Sequence, residues 1–254
     1  MPQAVNVPLY LEWSFWAVVV AAIAIVLSQL PHIYTLVKRA KLEMELYTRI
    51  HLTHKVGNPN AQLYVILSNV GGRSIRVRGM TLKLKRDGND VAVLPAQAYL
   101  QDPNGKTTLL LTSFVLKSKD EWAHFVNFLN YFVRADEKRY RSAESILKQE
   151  IFKKIALPEN KDRPEADGQY ITEFMTMFNE KFVWYTGEYE VLISVQTSNK
   201  KADIEKKYRF TLFESDTSEL SKAKDDYKFG DGIYWESGNH PGVVVQIVEQ
   251  GRMG

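Results

Sequence analysis

The spacing of apolar positions changes character several times along the chain, and each change predicts an element. From Trp13 to Val37, 25 positions carry no formal charge, and "AVVVAAIAIVLS", residues 17–28, is the most apolar part. Roughly 20 apolar residues cross a bilayer as a helix, so this run predicts an N-terminal transmembrane helix. Trp13 and Trp16 mark one end and Tyr34 the other, as interfacial aromatics do. Gln29, Pro31 and His32 weaken its second half, and Pro31 bends or ends the helix. The alternative is a buried helix of a globular core, which would not need so long an uncharged run.

Beyond Lys41 the period drops to two. Leu42, Met44, Leu46, Thr48, Ile50 and Leu52 alternate with polar neighbours, the pattern of a half-buried strand. "AQLYVILSN" follows and ends before Gly71-Gly72. Ile75 and Val77 then alternate with Arg76 and Arg78, Gly79 breaks the phase, and Met80, Leu82 and Leu84 resume it. A lone glycine that shifts the phase of a strand predicts a β-bulge. Asp87-Gly88 predicts a hairpin turn into Val91–Leu94, and "KTTLLLTSFVLK" predicts another strand. Far downstream, "GEYEVLISVQT" and "KKYRFTLFE" complete about seven strands in two groups, as in an antiparallel β-sandwich.

"LSNVGGRSIRV" resembles the second-to-third strand junction of many immunoglobulin-like domains, and "TGEYEVLISV" is similar to their penultimate strand. The resemblance covers about 100 residues. It implies an Ig-like sandwich in which the hydroxyl of Tyr189 ties down the preceding connection. The cysteine pair of those domains and a clear core tryptophan on the third strand are missing here.

Helical spacing interrupts the strands. "SKDEWAHFVNFLNYFV" places Ser118 as an N-cap, with Asp120 and Glu121 in the first turn. Asp136–Leu157 and "YITEFMTMFNEKFVWY" add two further amphipathic blocks. The expected fold is therefore mainly β, α+β overall: a transmembrane helix, then an Ig-like antiparallel β-sandwich with a helical insertion. Residues 1–41 form the anchor, 42–117 the first part of the sandwich and 118–185 the mostly helical insertion. Residues 186–214 give the last two strands, and 215–254 a C-terminal helix, a glycine-rich loop and an edge strand of this chain or a neighbour.

Charge orients the anchor. The first 12 residues hold Glu12 and no Lys or Arg, whereas Lys38, Arg39 and Lys41 follow the apolar run. The positive-inside bias then predicts a retained single-pass anchor in the cell membrane (the inner membrane in a bacterium), with the N-terminus outside and the C-terminal domain cytoplasmic. Overall, charged residues make up 25% and the net charge is +3, which gives no global case for nucleic acid. Cysteine is absent, so disulfides, thiolate metal sites and cysteine nucleophiles are excluded.

Candidate contact residues fall in three groups. Ala17, Ala21, Ala24 and Ser28 share one helical face and would let another helix approach closely, although such a stripe also arises by chance. Between Arg73 and Arg86 there are six basic residues and no acid, with Arg76, Arg78, Lys83 and Lys85 on the non-core face. That face fits anionic lipid or an acidic partner, or is a solvated surface that blocks edge pairing. Phe128 and Tyr131 fall partly off the apolar stripe of the first insertion helix and, if exposed, are candidates for a protein partner.

No catalytic, metal or cofactor motif stands out. His51 and His54, three apart on a strand, are expected on opposite faces. A hydrolase or transferase site within Asp231, Glu236 and His240 is a further alternative. The leading expectation is a non-enzymatic interaction module, an accessory or scaffold subunit of a membrane-associated assembly. An oligomeric membrane effector controlled by its soluble domain is the other.

Overall fold

The computed structural model describes residues 13–37, 39–102, 107–157, 163–235 and 242–251, with side chains left aside over 29–37. Helix α1 (Trp13–Val37) comes first. Strands β1 (Leu42–Lys55), β2 (Asn58–Asn69), β3 (Ile75–Arg86) and β4 (Asn89–Leu100) follow as antiparallel neighbours or hairpins. Short strands β5 (Thr108–Leu110) and β6 (Phe114–Leu116) lead to β7 (Glu121–Leu129). Helices α2 (Arg134–Ile155) and α3 (Gly168–Lys181) precede β8 (Gly187–Thr197) and β9 (Ile204–Leu212). Helix α4 (Glu214–Ser221), a 3-10 stretch (Lys222–Phe229), β10 (Val243–Gln246) and β11 (Val248–Glu249) end the described chain.

The alternating strands behave as their sequences require. In β2 every second residue is buried, Pro59 through Asn69. In β3 the buried set passes from Ile75 and Val77 to Met80, Leu82 and Leu84, and the register against β8 shifts between Val77 and Gly79. That is the bulge the lone glycine announces. Asp87 and Gly88 turn with positive φ at both positions, the geometry of a two-residue hairpin.

The sheet corrects the sandwich expectation. Among the described residues, all eleven strands belong to one antiparallel sheet in the order β10-β1-β2-β7-β4-β3-β8-β9-β11, with β5 and β6 flanking β4 and β3. Two packed sheets would share no strand, but β4 belongs to both faces. Its first half pairs with β3 as far as Pro95, and its second half pairs with β7 and β5. Proline has no N–H to continue a ladder, so the strand changes partner there. At the opposite side, β10 pairs with β1 and β11 with β9, and only Ile247 separates them. One short segment therefore joins both edges into a nearly closed barrel. Ile247 is itself buried and donates its N–H to the Thr48 carbonyl at 2.8 Å.

A second difference concerns residues 118–133. They do not form the first insertion helix; Glu121–Leu129 is strand β7, set between β2 and β4. Aromatic residues lie on both of its faces. Trp122 packs with Phe114 and Tyr99, and Phe125 packs with Tyr64. Two aromatic faces of a strand, read in one dimension, imitate helical spacing, and the aromatic content itself favours a strand.

The membrane expectation is also corrected. Among the described residues no helix is long and apolar enough to cross a membrane. The uninterrupted apolar residues of α1 run from Phe15 to Leu27, short of the roughly 20 a span needs. Beyond them the sequence turns to Gln29, Pro31 and His32. A transmembrane anchor is therefore not supported, nor is the single-pass cell-membrane placement with the N-terminus outside that followed from it.

The helices α2 and α3 cover one mouth of the barrel. Tyr140, Ala143, Leu147 and Ile151 form the buried stripe of α2, and Phe174, Met177 and Phe178 that of α3. Arg139 of α2 ties the pair together by bonding Glu173 (2.7 Å) and Glu180 (3.0 Å). The β1–β2 turn, Val56-Gly57, packs directly beneath α3. A Cβ on Gly57 would lie 2.6 Å from the Phe178 carbonyl oxygen, and φ there is +80°, so only glycine fits.

Candidate functional site

A cleft of about 670 Å³ opens at this mouth, between the ends of β1, β2 and β7 and the first turns of α2. Strand register builds its floor. Thr53 lies opposite Asn60, Lys55 opposite Asn58, and Asn60 opposite Leu129. Asn130 anchors the neighbouring loop by donating to the Val93 carbonyl at 2.8 Å, while its own carbonyl accepts from Asn58 Nδ2 at 2.6 Å. Phe132, Tyr140 and Arg141 form the wall. The Tyr140 hydroxyl donates to the Ile233 carbonyl at 2.6 Å, and its ring lies beneath Lys55 Nζ at 5.1 Å. Arg141 is held by Glu137 (2.7 Å) and Glu144 (2.9 Å).

His51 and His54 both line this cleft. The register against β2 runs unbroken from Ile50 to Lys55, with His51 opposite Gln62 and His54 opposite Pro59, so the two sit on opposite faces of the strand end as their spacing predicts. His54 is nonetheless fully committed. Its Nε2 lies 2.8 Å from the Leu220 carbonyl, and its Nδ1 accepts the Gly57 N–H at 3.1 Å. These partners require a neutral ring with the proton on Nε2. Burial lowers its pKa further than the Leu220 contact raises it. Edge contacts with Phe178 and Phe182 complete its packing. Both nitrogens serve the fold, which leaves none for a metal or a proton-transfer step.

Two buried polar atoms lack a hydrogen-bond partner among the described residues: Asn60 Oδ1, on a residue lining the cleft, and the Tyr227 hydroxyl, inside the helical cap. Burial, and secondarily Tyr140, raises the pKa of Tyr227.

The residues singled out by sequence are dispersed. Ala17, Ala21 and Ala24 line a shallow groove on α1 with Trp13, Trp16 and Val20, and Ser28 Oγ turns back to the Ile25 carbonyl at 2.7 Å. Arg76, Arg78, Lys83 and Lys85 stand exposed on the outer face of β3. Lys85 lies 3.6 Å from Asp90 and opposite Glu190 of β8, so the face is not uniformly basic. Phe128 is 0% exposed and belongs to the core, whereas Tyr131 is 64% exposed at the cleft rim. A buried ring at Phe128 offers a partner nothing; the change follows from β7 being a strand. Asp231 is buried beside Arg163 at 3.5 Å; Glu236 and His240 lie outside the described residues. Among the described residues, no three His, Asp or Glu side chains converge as a metal site would require.

The cleft itself has no linear signature. Its residues come from four separate segments, so no single stretch of sequence points to it. Tyr189, by contrast, behaves as the Ig-like resemblance implies. Its hydroxyl lies 2.7 Å from the Val183 carbonyl and 2.9 Å from that of Tyr185, within a barrel rather than a sandwich. No protein-family model and no curated protein matches this chain.

Proposed function

We propose that the chain is a non-enzymatic interaction module, an accessory or scaffold subunit that joins a larger protein assembly through α1. One observation carries this reading. Nearly all the described apolar side chains of α1, among them Val18, Val20, Ile23, Ile25, Val26 and Leu27, are exposed, Val19 is partly so, and none belongs to the barrel core. An uncovered apolar surface of this kind marks a site of association. The groove floored by Ala17, Ala21 and Ala24 gives a partner helix close backbone approach. The exposed cations of β3 supply a second contact for an acidic protein surface. The reading assigns the chain no catalytic step, in keeping with the structural commitment of His54 and the ion pair at Asp231.

The test is native mass spectrometry of the full chain purified from its own cells. A complex of defined stoichiometry with other subunits, lost in Ala21→Leu/Ala24→Leu while the barrel melts normally, is the expected result. A pure homo-oligomer lost in the same variant makes the occupant a second copy. A monomer with α1 uncovered would overturn the reading.

A further inference from the structure

The cleft beneath α2 has a chemistry that docking through α1 does not use. Its volume, about 670 Å³, lies within the roughly 300–1,000 Å³ range of small-molecule sites, and the mouth of a barrel is a common place for one. Three of its groups make no hydrogen bond or ion pair with their side-chain heads that the fold requires among the described residues: the Asn60 oxygen, the Tyr131 ring and Lys55, whose ammonium only rests over the Tyr140 ring. Asn60 keeps a buried side-chain oxygen without a partner among the described residues. Its terminal torsion is soft, so the amide can turn its oxygen towards an N–H donor in the cleft. Tyr131 exposes 64% of its surface at the rim and presents a ring for stacking. Lys55 makes no ion pair among the described residues, unlike Arg141, whose charge is already met by two glutamates.

These groups are spaced for one ligand. Asn60 and Lys55 sit two register positions apart on adjacent strands, roughly 8 Å by strand geometry. A simple anion would use Lys55 and leave Asn60 and Tyr131 idle. A neutral sugar would leave Lys55 idle. A planar heterocycle joined by a short spacer to an acid group engages all three.

We propose that this cleft binds a purine mononucleotide. Its base stacks on Tyr131 and donates an N–H to Asn60 Oδ1, and its phosphate lies against Lys55. The site is independent of α1, so its failure and that of the docking reading are separable.

Calorimetric titration of the full chain with AMP, adenosine and ribose 5-phosphate tests it. AMP is expected to bind about tenfold or more tighter than either half. Lys55→Ala should weaken AMP about tenfold and leave adenosine unchanged. Tyr131→Ala, at an exposed position, should weaken AMP and adenosine about tenfold and leave ribose 5-phosphate unchanged. Asn60→Ala should weaken AMP and adenosine together. No binding of AMP at about 5 mM to protein with a normal melt would overturn the proposal. So would ribose 5-phosphate binding as tightly as AMP, or AMP binding that none of the substitutions alters.

Discussion

Helix α1 and the barrel use the same aliphatic residues in opposite ways. In the barrel, Leu63, Val65, Leu67, Leu82 and Ile193 point inward and are sealed from water. In α1, Val18, Ile23, Ile25 and Val26 point outward. Burial of apolar surface drives folding at roughly 25 cal/mol per Å², so the barrel supplies its own driving force. The helix contributes nothing to it. Apolar content therefore tells how much surface must be covered, and topology decides whether the chain or a partner covers it.

Substitutions sharpen this contrast, beginning where the effect is greatest. Phe128→Ala removes a fully buried ring from β7 and should cost about 3–5 kcal/mol in denaturant unfolding. Loss below about 1 kcal/mol would place that ring outside the core. Asn69→Ala should cost about 2–4 kcal/mol. Its buried amide bridges the Arg73, Leu116 and Lys117 carbonyls and accepts the Gly71 N–H, holding two loops at the end of β2 opposite the Val56-Gly57 turn. Ile23→Ala, on exposed α1, should leave unfolding of the barrel within about 0.5 kcal/mol, and a larger loss would mean α1 packs on the barrel after all.

His54 supplies a pH handle that belongs to the barrel alone. Burial holds its folded pKa below 6.5, while the unfolded chain titrates near 6.5. The neutral ring's contribution is therefore complete above that value. It is lost as pH falls through 6.5 towards the folded pKa, because the unfolded state takes up the proton first. The denaturant midpoint should fall between pH 7.5 and about 5.5, and the slope should flatten in His54→Gln. The smallest effect is expected at Lys85→Ala. Its contact with Asp90 is exposed on both sides, and the change should stay within about 0.5 kcal/mol.

Legibility in the sequence followed the locality of the cause. The Gly79 bulge and the Asp87-Gly88 turn are set by residues at the site itself, and both were readable. The Val56-Gly57 turn was not, because valine at φ +49° is unfavourable in isolation and is held by burial under α3. Strand β7 was missed because its aromatics serve two faces at once. The barrel was missed because its closure depends on strands of four and two residues, too short to carry a period. The cleft is a consequence of that closure and of helix placement, so no stretch of sequence contains it.

The segment Val243–Glu249 has a temporal consequence. It pairs with β1 and β9, yet every other described strand precedes it in the chain. During synthesis, β1 must therefore wait with one edge bare until nearly two hundred further residues have emerged. Contacts between such distant partners slow folding, and a bare edge is a template for another chain. The last fastening step should be the slow phase of refolding, and a nascent or clipped chain lacking it should be the form that chaperones hold.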